Sequence, residues 1–364
     1  MQKGDLLIQK DLAKTYRAIA EHGIAWFYEG EYAQKVDAWM QANGGISSAA
    51  DFANYKAIER EPVRASYRGY DIVAMPPPSS GGVHVAQILS ILEQFPVRHF
   101  RASSRVHVIT EAMKLAFADR AYWLGDPDFV NVPRGLIDPA YAKELAAKIN
   151  LDHMTPVPAH GTPPRWEGDI FGKHTTHLST ADAEGHWVAL NQTINTAFGS
   201  KVIVPGTGVL LNDEMDDFAV QPGVPNAFKL IGAEANSIAP GKRPLSSMSP
   251  TLVFKDGKPI LTVGAAGGPT IITQTLLLIS NIIDQGMEPN AALKEPRFHQ
   301  QWQPDELKIE TTFDESTLKR VEALGHKLDR SAGFGACQCV MWDDQRKLLV
   351  PAHDPRIPGK ADGY

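Results

Sequence analysis

Three strand–turn–strand patterns constrain the fold of this chain more than any other feature of its sequence. The stretch TLVFKDGKPILTV places Asp256 and Gly257 between two runs of β-branched and apolar residues, and an Asp-Gly pair favours the tight turn of a β-hairpin. The stretches TTHLSTADAEGHWVALNQTIN and CVMWDDQRKLLVPA repeat this design, the second with Asp343 and Asp344 at its turn. Because apolar helical patterns precede and separate the hairpins, the sequence predicts stacked sheets covered by helices, an α+β or layered α/β fold.

Composition and charge exclude several classes of function. The 364 residues carry a formal net charge of −6 and no basic segment stands out, so we expect no nucleic-acid partner. No apolar run reaches the roughly 20 residues that a membrane span requires. Cys337 and Cys339 are too close for an unstrained disulfide and lack further ligands for a metal, so both are predicted to be packing residues.

A segment rich in proline and glycine, LDHMTPVPAHGTPPRWEGDIFGKH, separates the mainly helical first part from the first hairpin. It has no apolar periodicity, which predicts an exposed tether that ends at His174. The next residue, Thr175, begins a strand pattern. Two threonines at the start of a strand are also ordinary strand composition, so spacing alone leaves a purely structural interpretation open.

An exposed tether directly before a threonine also has a chemical use. A threonine hydroxyl is a poor nucleophile unless a base removes its proton, and at a chain terminus the residue's own α-amine serves as that base. Such an amine titrates at roughly 7.7–8.0, close to working pH. Cleavage of the bond between His174 and Thr175 would create this terminus, which makes Thr175 a candidate nucleophile.

The stretch KHTTHLSTADAEGHWVALNQTINTAFGS, followed by LLNDEMDDF, KRPLSSMSPT and GAAGGPTIITQ, resembles the γ-glutamyltransferase (glutathione hydrolase) family of N-terminal-nucleophile hydrolases. The upstream MPPPSSGG and LGDPDF motifs and the terminal DPR and ADGY motifs match as well, in order along the chain. The resemblance implies a four-layer αββα sandwich of the α+β class and autocatalytic cleavage into two subunits. Residues 1–174 would end the large subunit and residues 175–364 would form the small catalytic subunit, interleaved in one domain as a heterodimer.

The resemblance also implies a reaction and its catalytic residues. Thr175 would attack the γ-carbonyl of glutathione or another γ-glutamyl donor, and water or an amino-acid or dipeptide acceptor would resolve the ester. Thr193 matches the threonine that bonds the amine and hydroxyl of the nucleophile. Gly267 and Gly268 match the oxyanion hole, where backbone N–H groups at a positive helix end suit a developing anion. No metal or organic cofactor is implied, because the protein itself supplies nucleophile, base and oxyanion donors.

Five further residues match the binding site for the γ-glutamyl group. Asn195 matches a donor-binding asparagine, while Glu214 and Asp217 match the acids that hold the α-ammonium, which offers donors only. Ser246 and Ser247 match the pair that bonds the α-carboxylate. Considered without the resemblance, the acidic run is typical of a solvated turn and the serine run of an ordinary loop.

Three departures from the family pattern stand out. The segment PGVPNAFKLIG matches the lid loop, but its aromatic residue is Phe228, which has no hydroxyl to bond the pocket asparagine. Gly268 is followed by Pro269 and Thr270, where familiar members often have Ser-Arg. No residue of 1–174 matches the family's carboxylate-binding arginine, so we expect a fragment or a shortened product.

The resemblance suggests a periplasmic or secreted protein, although no signal-peptide pattern is present. Two alternatives to a γ-glutamyltransferase remain. One is an acylase of the same fold acting on glutaryl or β-lactam side chains, against which Glu214 and Asp217 argue because a glutaryl group has no ammonium. The other is a non-catalytic, truncated remnant that folds or assembles without cleavage.

Overall fold

The structure is a computed structural model that describes residues 2, 4–164 and 177–363. Its helices are α1 (Lys10–His22), α2 (Ala25–Tyr28), α3 (Glu31–Asn43), α4 (Ala49–Asn54), α5 (Gly81–Leu92), α6 (Ala102–Trp123), α7 (Pro139–Ala146), α8 (Thr270–Ile283), α9 (Pro289–Lys294) and α10 (Glu315–Ala323). Its strands are β1 (Val63–Tyr67), β2 (Tyr70–Ala74), β3 (Leu178–Ala181), β4 (Trp187–Leu190), β5 (Thr251–Lys255), β6 (Lys258–Ala266), β7 (Phe298–His299), β8 (Leu307–Glu310), β9 (Leu328–Ser331), β10 (Ala336–Asp343) and β11 (Leu348–His353). Within the described ranges, no helix combines the length and the apolar character that a membrane crossing needs.

The chain divides into two compact units, of which the first consists of Met1–Glu59 and Ile194–Glu214. Helices α1 to α4 belong to this unit. Its small core contains Tyr32 and Val204, and the Tyr32 ring stacks on another aromatic ring, that of Phe27, at a centroid distance of 3.9 Å. The predicted division of the chain into subunits at residue 174 concerns a covalent bond and stays a prediction.

The second unit consists of Arg60–Thr193 and Met215–Tyr364 and contains a six-stranded antiparallel sheet in the order β1-β2-β5-β6-β10-β11. The predicted hairpin at Asp256-Gly257 is confirmed: both residues have positive φ (51° and 74°), as a two-residue turn between paired strands requires. The hairpin of β10 and β11 is also confirmed. Its turn is longer than the predicted dipeptide, because the Asp343 carboxylate accepts the N–H groups of Gln345 and Arg346, each at 2.9 Å.

Helices and a second sheet cover opposite faces of this main sheet. Helix α5 packs on β1 and β2, and α8 packs on β6 and β10. All residues of α5 are buried, since α6, α7 and α8 also surround it. The hairpin of β3 and β4 packs against β5, β6 and β10, and the Thr262 hydroxyl donates to the Val188 carbonyl at 2.9 Å. This layering of helices, sheet and sheet confirms the predicted α+β class.

Both cysteines are free and buried on β10. Burial raises the pKa of the Cys337 thiol to about 12 and raises that of Cys339 well above its ordinary value. Both side chains therefore remain protonated thiols at neutral pH, as the predicted packing residues should.

Residues 151–164 are largely exposed, as predicted for a tether, but their backbone is anchored to the rest of the unit. This segment has no helix or strand, but the N–H of Thr155 donates to the Glu111 carboxylate and the N–H of Gly161 donates to the Asp119 carboxylate, both at 2.7 Å. Buried acids on α6 therefore hold a segment whose sequence has no apolar period. The remainder of the predicted tether, residues 165–174, lies outside the described residues.

Candidate active site

His174 and Thr175, the predicted cleavage site and nucleophile, lie outside the described residues. The described chain resumes at His177, whose imidazole is 8% exposed and lies 3.0 Å from Asn191 Oδ1 and 2.7 Å from Ser179 Oγ. Because Asn191 Nδ2 donates to the Ala265 carbonyl at 3.1 Å, its Oδ1 is the acceptor and His177 Nδ1 carries the hydrogen. His177 Nε2 therefore accepts from the Ser179 hydroxyl.

This histidine fixes the first residues of β3 against the main sheet. Burial lowers the pKa of His177 to about 4, so its ring is neutral at neutral pH. A Cβ on Gly264 would overlap the imidazole, so the approach of β3 to β6 at this point requires glycine. Residue 177 is two positions after the predicted nucleophile, and β6 ends directly before Gly267 and Gly268. His177 and Asn191 were missed in the sequence because their partners are brought together only by the folded sheets.

The two glycines after β6 form a loop suited to an oxyanion. Gly267 and Gly268 have φ values of 134° and 60°, which favour glycine. Their carbonyls accept from the Thr270 hydroxyl at 2.8 Å and the Ile271 N–H at 3.0 Å. In the hydrogen bonds among the described residues, neither glycine N–H is used. Both precede α8, whose positive end adds to the attraction for an anion.

The predicted lid forms a small closed loop beside these glycines. Asn226 closes it, since its N–H donates to the Leu230 carbonyl at 2.9 Å and its side-chain oxygen accepts from the Phe228 N–H at 3.0 Å. The Phe228 ring lies against Gly268, where an added Cβ would be 3.0 Å from the ring. Gln301 Nε2 donates to the Phe228 carbonyl at 3.2 Å, which ties the lid to the body of the unit.

The predicted carboxylate-binding serines, Ser246 and Ser247, are buried and held by the MPPPSSGG motif. The N–H and hydroxyl of Ser80 both donate to the Ser246 carbonyl, at 2.8 and 2.7 Å. The Ser246 N–H donates back to the Pro78 carbonyl at 2.9 Å. The motif therefore fixes the backbone of the serine pair from one side.

An arginine that the sequence analysis missed contacts the serine pair from α6. Arg120 is 4% exposed, and its Nε and Nη2 donate to Ser80 Oγ at 2.9 Å and to Ser247 Oγ at 3.2 Å. Burial lowers the pKa of Arg120 to about 10, and the Asp217 carboxylate acts in the opposite direction. At neutral pH this guanidinium is a buried cation with an acid close by. The apolar helical pattern around residue 120 indicates a core position, so the sequence carries no signal for a contact between Arg120 and the serine pair.

Asp217 is linked to the serine pair by Asn236, which was also missed. Asn236 Nδ2 donates to the Asp217 carbonyl at 2.8 Å, and its Oδ1 accepts from the N–H of Leu245 at 3.0 Å. Leu245 directly precedes Ser246. The second unit therefore brings Asp217 and the serines, two of the predicted groups, into one framework.

Asn195 and Glu214 belong to the first unit, whereas Thr193, which is partly buried, ends a segment of the second. Asn195 adopts a positive φ of 72°, and its Nδ2 donates to the Asp213 carbonyl at 3.0 Å. The Asp213 carboxylate accepts from the N–H and hydroxyl of Thr196, at 3.0 and 2.8 Å. These contacts join the predicted asparagine to the residue before Glu214.

One buried group of described residues has metal-ligand atoms within 4.8 Å of one another: His107, Glu111 and His326. His107 Nδ1 and His326 Nε2 already bond each other at 2.7 Å. The Lys114 ammonium lies 3.5 Å from Glu111 Oε1. The two imidazoles therefore bond each other and the carboxylate lies beside a cation, so these three residues suit a buried structural network better than a metal site.

Comparisons with known proteins agree with this geometry. The family model described as gamma-glutamyltranspeptidase matches residues 1–364. A glutathione hydrolase proenzyme of Escherichia coli (strain K12) is 45% identical over 359 residues, which cover 98% of this chain and 61% of the relative. The chain thus spans about three fifths of that relative's length.

Two solved structures are similar to the chain as well. The cephalosporin acylase from Bacillus halodurans superimposes with a TM-score of 0.88 and 29% identity, over 100% of this chain and 64% of that one. The gamma-glutamyltranspeptidase from Pseudomonas nitroreducens complexed with L-DON gives a TM-score of 0.50 and 38% identity, over 52% of this chain and 100% of that one. The acylase match confirms the N-terminal-nucleophile hydrolase fold. By sequence along its whole length and by fold, the chain belongs to the γ-glutamyltranspeptidase family.

Proposed function

We propose that this protein is an autoprocessed γ-glutamyltransferase, or glutathione hydrolase, with Thr175 as its nucleophile. The observation that carries the proposal is the arrangement of the second unit. There the glycine loop, the serine pair and Asp217 lie in the same unit as the hairpin that starts just after residue 175. Membership of the family supports the same activity, and so does the relative named glutathione hydrolase proenzyme.

Cleavage of the His174–Thr175 bond would free the α-amine of Thr175, and that amine would take the proton from the residue's own hydroxyl. Thr193 would orient the amine. The oxygen would then attack the γ-carbonyl, and the N–H groups of Gly267 and Gly268 would stabilise the oxyanion. The amine would return the proton to the departing amino group, which leaves an ester on Thr175. Water or the amine of an amino acid or dipeptide would resolve that ester.

The γ-glutamyl group would be bound by opposite charges at its two ends. Its α-ammonium would be held by Glu214 and Asp217 with Asn195, and its α-carboxylate by Ser246 and Ser247. A carbonyl carbon between these groups and the glycine loop would face the nucleophile. No metal or organic cofactor takes part in this scheme.

Cleavage would give a heterodimer of residues 1–174 and 175–364. The match to the solved transpeptidase chain supports that division. It covers 100% of the solved chain but only 52% of this one, and residues 175–364 make up just over half of the 364 residues. A periplasmic or secreted location is proposed on the family resemblance.

Release of p-nitroaniline from γ-glutamyl-p-nitroanilide tests the proposed activity. The processed chain should release it, and Thr175→Ala should lose at least about 1,000-fold in rate, since a covalent scheme has no substitute for its nucleophile. Equal turnover by Thr175→Ala would contradict the proposal.

A second candidate is an acylase, favoured by the TM-score of 0.88 to the cephalosporin acylase. A glutaryl group has the size of a γ-glutamyl group but lacks the ammonium, so it would offer Glu214 and Asp217 no cation to bind. Comparison of γ-glutamyl and glutaryl anilides distinguishes the two, and faster turnover of the glutaryl anilide would favour the acylase.

A further inference from the structure

No residue of 1–174 matches the family's carboxylate-binding arginine, but a buried arginine, Arg120, contacts the serine pair. A guanidinium is a donor only, so the oxygens of Ser80 and Ser247 both accept from Arg120. Each serine hydrogen must then point to another acceptor.

The two serines differ in where that hydrogen goes. The Ser80 hydroxyl donates to the Ser246 carbonyl at 2.7 Å, so its hydrogen is already used. No hydrogen bond among the described residues takes the hydrogen of the Ser247 hydroxyl, although this side chain is only 7% exposed. Because the Ser247 oxygen is held by Arg120, its hydroxyl still has a hydrogen to donate to a bound ligand.

The surroundings of this hydroxyl favour an anionic ligand. Arg120 is buried and cationic, and helix α5 begins beside it at Gly81, where an added Cβ would overlap the Met248 carbonyl of the serine loop. The start of α5 therefore adds the positive end of a 12-residue helix. The Asp217 carboxylate counteracts the fall in the pKa of Arg120, so an anion acts on this cation within the same unit. This pairing complements the zwitterionic end of an α-amino acid.

We propose that Arg120 is a positioning residue that directs the Ser247 hydroxyl toward the α-carboxylate of the γ-glutamyl group. Its charge also favours donors that carry this carboxylate. The inference rests on the proposed function, because that function identifies the ligand of the serine pair.

Arg120→Lys is compared on two anilides: γ-glutamyl-p-nitroanilide and 4-aminobutyryl-p-nitroanilide, which lacks only the α-carboxylate. The variant should raise KM for the γ-glutamyl donor about 30-fold with kcat within about 3-fold, the size expected for a lost charge-assisted bond. Its kcat/KM for the 4-aminobutyryl donor should change less than about 3-fold. Equal losses on both donors would indicate a merely structural role and overturn the inference.

The matched control is Arg105→Lys, which alters another arginine of α6 that lies 3.7 Å from Glu295. Its KM for both donors should stay within about 2-fold. A double-mutant cycle with Ser247→Ala tests the route through the serine. If Arg120 acts through that hydroxyl, Arg120→Lys adds less than about 3-fold to Ser247→Ala, whereas full additivity would overturn the inference.

Calorimetric titration with L-glutamate and with 4-aminobutyrate separates this inference from the proposed function. If the chain binds L-glutamate, and Arg120→Lys weakens that binding about 30-fold but not the binding of 4-aminobutyrate, the inference holds even where γ-glutamyl turnover fails. The inference is wrong if Arg120→Lys binds L-glutamate as tightly as the unaltered chain does. It is also wrong if the unaltered chain binds no L-glutamate.

Discussion

The segments on either side of the His174–Thr175 bond are held in opposite ways. Downstream, β3 and β4 form a backbone ladder in which Leu178 lies opposite Leu190. Upstream, residues 151–164 have no helix or strand, and the N–H groups of Thr155 and Gly161 bond acidic side chains that project from α6. Downstream, regular structure supplies the partners, whereas upstream, buried acids supply them.

Asp119 shows how the irregular segment is held. Its carboxylate accepts from Gln87 Nε2 at 2.7 Å, from the Tyr141 hydroxyl at 2.8 Å and from the Gly161 N–H at 2.7 Å. Burial raises the pKa of Asp119, and these three hydrogen bonds oppose that rise. A backbone group that lacks a ladder partner must be satisfied by other means, and here a buried acid takes that place.

Aromatic rings of α6 hold the same point as well. The His160 ring stacks on Tyr122 at a centroid distance of 3.6 Å, and Trp123 Nε1 donates to the Gly161 carbonyl at 3.2 Å. The chain is therefore anchored at residues 160 and 161, about a dozen residues before the proposed cleavage point. We expect the upstream anchor to matter for cleavage and the downstream hairpin to matter for cleavage and turnover alike.

Among substitutions in the two flanking segments, His177→Ala should have the largest effect, because it removes the contacts that fix the start of β3. The loss leaves the Asn191 side-chain oxygen without its donor and the Ser179 hydroxyl without its acceptor, at a cost of about 3 kcal/mol. Both the rate of self-cleavage and the kcat of processed molecules should fall about 30-fold. Densitometry of the two fragments over time measures the rate of self-cleavage. Release of p-nitroaniline per processed molecule measures kcat.

The control is His186→Ala, at the exposed turn of the same hairpin, where the side chain is 72% exposed. Its rates should stay within about 2-fold. Loss of cleavage alone in His177→Ala, with normal turnover, would show that the downstream hairpin does not serve both reactions.

Gly161→Ala should have the next largest effect, restricted to cleavage. An added Cβ would overlap the Tyr141 hydroxyl and displace the Gly161 N–H from Asp119. Self-cleavage should slow about 10-fold, while kcat per processed molecule stays within about 2-fold, because the segment is no longer joined to Thr175 after cleavage. Ala159→Ser, an exposed change in the same segment, should leave both rates unaltered. Equal losses in both rates would remove the contrast between the two flanks.

His177 and Asp119 should give the folded protein opposite responses to pH. The pKa of His177 is lowered from 6.5 to about 4, chiefly by burial, so the unfolded chain binds more protons between these values. Its contribution is present above pH 6.5 and is lost as the pH falls toward 4, by up to about 3 kcal/mol. Burial raises the pKa of Asp119 above 3.8, so its contribution is present at low pH and is lost as the pH rises through the raised value.

Urea unfolding of the unaltered chain, His177→Gln and Asp119→Asn between pH 4 and pH 8 measures these slopes. His177→Gln should flatten the loss of stability toward low pH, and Asp119→Asn should relieve the loss toward higher pH. Parallel curves for all three proteins would mean that neither group titrates differently on folding.

Trp302→Phe should have the smallest effect. It removes the donor that bonds the Val157 carbonyl at 2.7 Å in the upstream segment but keeps an aromatic ring. The unfolding free energy should drop by about 1 kcal/mol, and self-cleavage should slow less than about 2-fold, because other anchors remain. A larger effect on cleavage than that of Gly161→Ala would place the main anchor at Val157.

The sequence predicted the parts of this molecule that depend on neighbouring residues. The hairpin at Asp256-Gly257 follows from turn chemistry, and the glycine loop and serine pair follow from motifs that match the family. It could not predict the role of Arg120, because Arg120 and Ser247 are 127 positions apart in the sequence. In addition, the sequence pattern of α6 is that of a buried core helix.

The anchoring of the upstream segment could not be predicted for a related reason. Its proline and glycine content indicates a free loop, since sequence periodicity registers partners supplied by a ladder or an apolar face. Partners supplied by Glu111 and Asp119 leave no period in the segment that they hold.

The central claim is that the His174–Thr175 bond is cut by the same hydroxyl that later carries the γ-glutamyl group. Intact-mass measurement with N-terminal sequencing of the unaltered chain and of Thr175→Ala tests it most directly. We predict a smaller fragment of the unaltered chain that begins Thr-Thr-His-Leu, and a single uncut chain for Thr175→Ala. A γ-glutamyl hydrolase that remains one uncut chain, or a Thr175→Ala variant cut at the same bond, would contradict this account.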